Sequence, residues 1–249
     1  MADASLAVKG GEVVFRGVET VLFDKDGTLA HSLPFLYTLG RSRARYLDAQ
    51  IPGVQDPLLM AFGLEGDQLN PQGLLAVGSR RDNEIAAAAY VAETGRGWIE
   101  SLQIVTQTFA EVDATMGSKA EATTPCNGVE ALVRSLSPSF HLGMLSSDIT
   151  ANVVAFAQRY DLADYFDWLV GVDRVDKGDQ ADCLQFLHDQ GINPKTTLVI
   201  GDSAADVQLA QQIGAMGCIG VTWGWQQVYT IAGAGAIATT PTDIQIVET

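Results

Sequence analysis

The chain has 249 residues, 47% of them hydrophobic, so it can bury a large core, either as one domain or as a core with a smaller module. Its 15 basic and 30 acidic residues give a formal net charge of -15, which argues against nucleic acid and against an anionic membrane surface as partners. An anionic substrate would have to be held by local positive groups or by a metal ion.

The cysteines and the apolar segments bear on where the protein works. Cys126, Cys183 and Cys218 lack the spacing of a metal or redox site, which indicates core packing in a reducing compartment. Residues 1–11 contain no apolar stretch typical of a signal peptide. Residues 207–242 carry no charge, but glutamine, glycine and proline interrupt them, so we expect buried structure and loops rather than a membrane span. Together these features predict a cytoplasmic protein.

The first predicted strands are 13–15, at an edge, and 20–23, at the centre. The second strand runs directly into Asp24 and Asp26, which are followed by a Gly-Thr turn. Ligands bind at the carboxyl ends of strands in open α/β sheets, and two carboxylates there can act as nucleophile and as general acid and base. The turn amides could also bind phosphate oxygens. An ordinary solvated turn has the same local pattern.

After Pro34 the pattern becomes helical. Apolar residues at helical spacing predict helices at 35–48, 56–62, 82–93 and 98–116. We expect no strand in this stretch and loops at 63–78 and 94–97. The sequence therefore predicts an all-helical inserted domain at 33–119, with 1–32 and 120–249 forming the other domain.

Strands and helices alternate after this insertion, which favours an α/β fold with a doubly wound parallel sheet. The predicted helices are 128–136, 151–160, 180–190 and one beginning at Asp206. The predicted strands are 141–145, 168–171, 197–200 and 216–221. Polar residues follow three of the strands, and Lys177 lies in a loop. Because parallel strands end side by side, we expect these polar groups near Asp24.

Four motifs stand out in this order along the chain: Asp24-Lys25-Asp26-Gly27-Thr28, Ser146 after a strand, Lys177, and Gly201-Asp202-Ser203-Ala204-Ala205-Asp206. In order and spacing they resemble the motifs of the haloacid dehalogenase superfamily, most closely its phosphatases of the phosphoglycolate phosphatase type. The resemblance covers 20–26 and 128–225. It implies a Rossmann-like α/β core, with the helical insertion in the position of the family's mobile cap.

By this resemblance Asp24 would be the nucleophile that forms an aspartyl phosphate. Asp26 would protonate the leaving oxygen and then deprotonate the attacking water. Mg²⁺ would be held by the Asp24 carboxylate, the backbone carbonyl of Asp26 and Asp202, because few protein ligands completed by waters and a phosphate oxygen suit this small, hard ion.

The same resemblance assigns the phosphate to Ser146, Ser147 and Lys177, with the lysine offsetting the charge that builds up on the transferring group. Asp206 would orient Lys177 and would serve only occasionally as a metal ligand. Each of these residues has a structural alternative. The serines could cap the next helix, Lys177 could be a solvated loop residue, and Asp202 and Asp206 could simply lie favourably at a helix start.

Two positions depart from the family pattern. His31 stands where many members have an acid, and it is either a substrate contact or a helix-entry residue without a role. Lys25 stands where an apolar residue is frequent, and we expect it to point away from Asp24 with little effect on the mechanism. In the insertion, Arg96 lies between two glycines and is a candidate substrate contact, as are Arg80 and Arg81.

The function implied is a magnesium-dependent phosphatase for a small phosphorylated metabolite, such as phosphoglycolate or a sugar phosphate. The alternatives are a phosphomutase of the same fold and a non-catalytic binding module. Dehalogenation is disfavoured because enzymes of that type lack the second acid, Asp26, and use no metal. We expect a monomer or a homodimer.

Overall fold

The computed structural model describes residues 6–225 and 229–248. The chain divides into two compact units: unit 1 comprises Met1–His31 and Thr124–Thr249, and unit 2 comprises Ser32–Thr123. Unit 2 begins one residue before the insertion predicted at 33–119 and ends four residues after it.

The strands are short, and those at the centre of the largest sheet are mostly apolar. Within the described residues they are β1 (Leu6–Gly10), β2 (Val13–Arg16), β3 (Thr20–Phe23), β4 (Ala30–His31), β5 (Leu64–Glu65), β6 (Gln68–Leu69), β7 (Thr124–Pro125), β8 (His141–Ser146), β9 (Trp168–Gly171), β10 (Thr197–Gly201), β11 (Gly217–Val221), β12 (Ala236–Ala238) and β13 (Ile244–Glu248). The α-helices of the same residues are α1 (Leu33–Gln50), α2 (Gln55–Phe62), α3 (Leu74–Val77), α4 (Arg80–Glu93), α5 (Trp98–Thr115), α6 (Lys119–Ala122), α7 (Val129–Leu136), α8 (Thr150–Arg159), α9 (Gln180–Asp189) and α10 (Ala204–Ile213).

A six-stranded parallel sheet forms the centre of unit 1, in the order β12-β11-β10-β3-β8-β9. β3 lies between β10 and β8, and its residues Val21, Leu22 and Phe23 are buried. A parallel strand covered on both faces is apolar throughout, which explains why its sequence does not alternate. The predicted α/β fold with a parallel sheet is confirmed. Since β3, β8 and β10 are neighbours and run in one direction, their carboxyl ends meet at one edge.

Unit 1 also contains structure that the sequence pattern did not indicate. β1 pairs antiparallel with both β2 and β13, forming a small three-stranded sheet of which only one strand was predicted. β12 adds an unpredicted edge strand to the large sheet. β4 and β7 pair as a two-residue antiparallel ribbon on either side of the insertion. The last predicted helix, α10, begins at Ala204 rather than at Asp206.

Unit 2 is built from α1 to α6, with Phe62 and Phe109 in its core at a ring-centroid distance of 6.4 Å. Ser79 caps α4 in a reciprocal hydrogen-bonding arrangement with Asp82. The expectation of loop without strand at 63–78 was wrong, because this stretch contains the β5–β6 ribbon and the short helix α3. Each of these strands has only two residues, too few to show an alternating pattern.

Two further expectations concern the cysteines and the membrane. Cys126, Cys183 and Cys218 are buried with free thiols, as predicted. Across residues 6–225 and 229–248, every helix is too short or too polar to cross a bilayer.

Candidate active site

Asp24 lies directly after β3, where its backbone N–H donates to the carbonyl of Ile200 on β10 at 2.9 Å. Its side chain is 9% exposed, and the ammonium of Lys177 donates to Oδ1 at 2.5 Å. Burial raises the pKa of Asp24 to about 6, and the charges of Asp206 and Asp26 add to this effect while Lys177 opposes it. The structure therefore brings the predicted nucleophile and the predicted phosphate-binding lysine together.

Asp202 and Asp206 follow β10 and are buried beside Asp24. One carboxylate oxygen from each of the three acids lies within 4.8 Å of the others. Burial raises the pKa of Asp202 well above its ordinary value, and the charges of Asp24 and Asp206 raise it further. Burial alone would lower the pKa of Lys177, but the carboxylates of Asp206 and Asp24 reverse this and raise it.

A single lysine thus faces three buried carboxylates, which leaves negative charge in excess when all are ionised. A divalent cation would balance that excess, and the all-oxygen donor set suits a small, hard ion. The residues present therefore fit a Mg²⁺ site. One carboxylate oxygen of Asp206 accepts a hydrogen bond from Lys177 at 3.0 Å. The other accepts hydrogen bonds from the backbone N–H and the hydroxyl of Ser203, at 3.1 and 2.8 Å.

Trp225 and Tyr229, which follow β11, hold Asp202 and were not predicted as part of the site. The indole N–H of Trp225 donates to Asp202 Oδ2 at 2.5 Å, and the hydroxyl of Tyr229 donates to the Asp202 backbone carbonyl at 2.6 Å. Trp223 donates to the carbonyl of Thr28 at 2.8 Å. The sequence Trp223-Gly224-Trp225 lies within the range of the family resemblance, but its pattern gave no sign of a contact with Asp202.

The turn after Asp24 requires glycine at position 27. Gly27 has φ of 86°, and a Cβ there would lie 2.4 Å from Trp225 Nε1 and 2.6 Å from Asp202 Oδ2. Thr28, the next residue, donates its hydroxyl to Asp202 Oδ1 at 3.2 Å. The left-handed backbone and the close approach together explain the Gly-Thr sequence of the first motif.

Asp26 has a side chain that is 15% exposed, and Lys25 Nζ lies 2.8 Å from its Oδ1. Lys25 is itself buried, with 1% of its side chain exposed, and its Nζ also lies 3.2 Å from Asp148 Oδ2. In the sequence analysis this lysine was expected to have little effect on the mechanism, but its contact with Asp26 gives it a direct connection to the site.

Ser146 ends β8, the strand next to β3, and is 2% exposed. Its Oγ accepts a hydrogen bond from the backbone N–H of Asp148 at 3.1 Å. Ser147 follows and is half-buried. Both serines therefore lie at the carboxyl edge of the parallel sheet, where β3 also ends.

The family model of the haloacid dehalogenase-like hydrolases matches residues 18–214. The chain belongs to this family. A relative named phosphoglycolate phosphatase from Yersinia pseudotuberculosis is 27% identical over 231 residues, which cover 88% of each chain.

Solved structures share the fold of this haloacid dehalogenase-like hydrolase. A predicted phosphoglycolate phosphatase from Haemophilus somnus has a TM-score of 0.69 at 18% identity, over 91% of this chain and 96% of that one. A protein described as a β-phosphoglucomutase from Thermotoga maritima has a TM-score of 0.57 at 20% identity, over 90% and 95% of the two chains. Likeness at these identities concerns the fold alone.

His31 in unit 1 and three arginines in unit 2 are the remaining candidate substrate contacts of this hydrolase. His31 is half-buried on β4, and its Nδ1 has no hydrogen-bond partner among the residues the structure describes. Arg96, in unit 2, donates to the hydroxyl of Thr94 at 2.6 Å. Arg80 and Arg81, also in unit 2, both pair with Glu84, at 2.9 and 3.4 Å.

Proposed function

We propose that this chain is a magnesium-dependent phosphatase that hydrolyses a small phosphate monoester through an aspartyl phosphate on Asp24. The observation that carries the proposal is the buried Asp24 carboxylate at the tip of β3, held 2.5 Å from Lys177 and beside Asp202. Family membership and the relative named phosphoglycolate phosphatase support the same class of reaction.

In the first step, a carboxylate oxygen of Asp24 forms a bond to phosphorus as the bond from phosphorus to the ester oxygen breaks. Asp26, in its acid form, gives its proton to the departing oxygen, so the product leaves as an alcohol. In the second step, water attacks the aspartyl phosphate and Asp26 takes its proton. Inorganic phosphate leaves, and the Asp24 carboxylate is restored.

The other residues of the site bind the phosphate and stabilise the charge that develops on it. Lys177 offsets the negative charge of the transferring group, and Asp206 holds that lysine at 3.0 Å. Ser146 and Ser147 would bind phosphate oxygens at the end of β8. Mg²⁺ would be held by Asp24, Asp202 and the backbone carbonyl of Asp26, and when bound it supplies positive charge to the transferring phosphoryl group.

Three points stay predictions: that His31 and Arg96 contact the substrate, that the protein is cytoplasmic, and that it is a monomer or a homodimer. For the substrate, we propose a phosphorylated metabolite of the phosphoglycolate or sugar phosphate class.

The test is phosphate release from phosphoglycolate, several sugar phosphates and an aryl phosphate, with Mg²⁺ and with a chelator. Wild type is compared with Asp24→Asn, and the exposed Asp189, which bonds to Gln185 and His188 on its own helix, provides the control Asp189→Asn. We expect metal-dependent release by wild type and the control and none by Asp24→Asn. Full activity in Asp24→Asn would refute the role of Asp24 as the nucleophile.

A second reading of the same panel separates the alternatives. Transfer of phosphate between positions of a sugar, without release, would identify a phosphomutase. Absence of both release and transfer, in a folded protein with Mg²⁺, would favour a binding module.

A further inference from the structure

Lys25 lies between the two acids of the first motif in sequence, but its side chain connects Asp26 to another strand end. Its Nζ lies 2.8 Å from Asp26 Oδ1 and 3.2 Å from Asp148 Oδ2. The side chain is 1% exposed and lies over the ring of Phe156, 5.9 Å from its centroid. A lysine this deeply buried has few other positions to adopt, so the bridge between the two carboxylates is well defined.

Asp148, at the far end of the bridge, is fixed independently. Its Oδ1 accepts hydrogen bonds from the backbone N–H of Ile149 and the amide of Asn152, both at 2.8 Å. Its own N–H donates to Ser146 Oγ at 3.1 Å. Asp148 is therefore tied to the end of β8 and the start of α8, and Lys25 extends this anchored group to Asp26.

Packing alone does not explain the bridge. A buried charge must be desolvated, and replacing buried ion pairs by apolar residues of similar size is often neutral or stabilising. An apolar side chain beside Phe156 would fill the same space, but it would remove the contact of Lys25 with the carboxylates of Asp26 and Asp148. A buried lysine at this position is explained if its contact sets the orientation of the Asp26 carboxylate.

We propose that Lys25 is a positioning residue: bridged to Asp148, it fixes the Asp26 carboxylate in the orientation from which Asp26 protonates the leaving oxygen. This inference rests on the proposed function, in which Asp26 is the general acid. It assigns Lys25 no contact with the substrate.

The test uses the dependence of the rate on the leaving group. A p-nitrophenolate leaves readily without a proton, whereas an alkoxide needs one, so loss of the general acid slows the alkyl ester more. We would measure kcat/KM for p-nitrophenyl phosphate and for glycerol 3-phosphate with wild type, Lys25→Met and Asp26→Asn. The ratio of the two values within one preparation is independent of the fraction of folded enzyme.

We expect Lys25→Met to lower kcat/KM for glycerol 3-phosphate about tenfold more than for p-nitrophenyl phosphate, in the same direction as Asp26→Asn but by less. Asp148→Asn, which keeps Oδ1 for Ile149 and Asn152, should show a smaller selective loss. The control Lys195→Met removes an exposed lysine and should leave the ratio unchanged.

Equal loss on both esters in Lys25→Met and Asp148→Asn, alongside a selective loss in Asp26→Asn, would overturn the role of Lys25 and leave the proposed function intact. Absence of phosphate release by wild type from both esters and from every member of the panel above would instead refute the proposed function. The two failures are therefore distinguishable.

Discussion

Replacing Trp225 by phenylalanine should weaken metal binding while the fold survives. The change keeps an aromatic ring but removes the indole N–H that donates to Asp202 Oδ2 at 2.5 Å. Both residues are buried, with 7% and 3% exposed, so water cannot easily replace the lost donor. Hydrogen bonds to charged groups contribute about 1.5–3 kcal/mol, and ~1.4 kcal/mol corresponds to a factor of ten. We therefore expect Mg²⁺ affinity to fall by about 10- to 100-fold, the range typical of groups that orient a ligand.

Two measurements check this prediction. Calorimetric titration gives the Mg²⁺ affinity without turnover, and the Mg²⁺ concentration for half-maximal phosphate release gives it during turnover. Trp168→Phe is the matched control, because its indole donates to Gln190 at 3.0 Å on the surface of the same unit. Unchanged Mg²⁺ affinity in Trp225→Phe, with wild-type folding, would refute the inference that the indole orients Asp202.

Two further predictions concern stability. Gly27→Ala should lower the free energy of unfolding by about 1–3 kcal/mol in urea titrations, since its φ is 86° and its Cβ would meet Trp225. Gly17 has φ of 76° and open space around its Cβ, so Gly17→Ala measures the cost of the backbone conformation alone. An equal loss of stability in the two variants would show that the contact of a Cβ at position 27 with Trp225 is unimportant. Hydrogen bonds from the backbone N–H of Thr150 and, to a smaller extent, from its hydroxyl hold the pKa of Asp173 below its ordinary value. The ionised carboxylate therefore stabilises the fold above about pH 4, and this stabilisation is lost as the pH falls through the folded pKa. Asp173→Asn should thus be less stable than wild type near neutral pH, with the difference shrinking in acid; a constant difference would contradict this.

The central strands were predictable because burial on both faces requires a run of apolar residues in the sequence. Val21, Leu22 and Phe23 form an apolar run with no alternation, and the polar residues that follow mark where the strand ends. The strand β12 has only Ala236, Ile237 and Ala238, too short a run to distinguish from a loop. β1 and β13 stabilise each other across the length of the chain, and local patterns carry no information about such a pairing.

The motif residues of the site were predictable, but their partners were not. Asp24, Lys177 and Asp202 are separated along the chain, and the parallel sheet brings them together as their places after strands imply. Lys25 was judged by its position between two acids, which gave no sign of its contact with Asp148. Trp225 has an apolar ring, so sequence alone suggests packing, and its donor to Asp202 is evident only in three dimensions.

The insertion of unit 2 between β3 and its partners determines when the sheet can form during translation. β3 pairs with β8 and β10, and both follow unit 2 in the sequence. On the ribosome, β3 therefore emerges with no partner until the whole of unit 2 and the segment beyond it have been made. Unit 2 is a continuous segment and has its own core, so it can fold first. The nascent chain must meanwhile keep the apolar β3 from pairing with other chains.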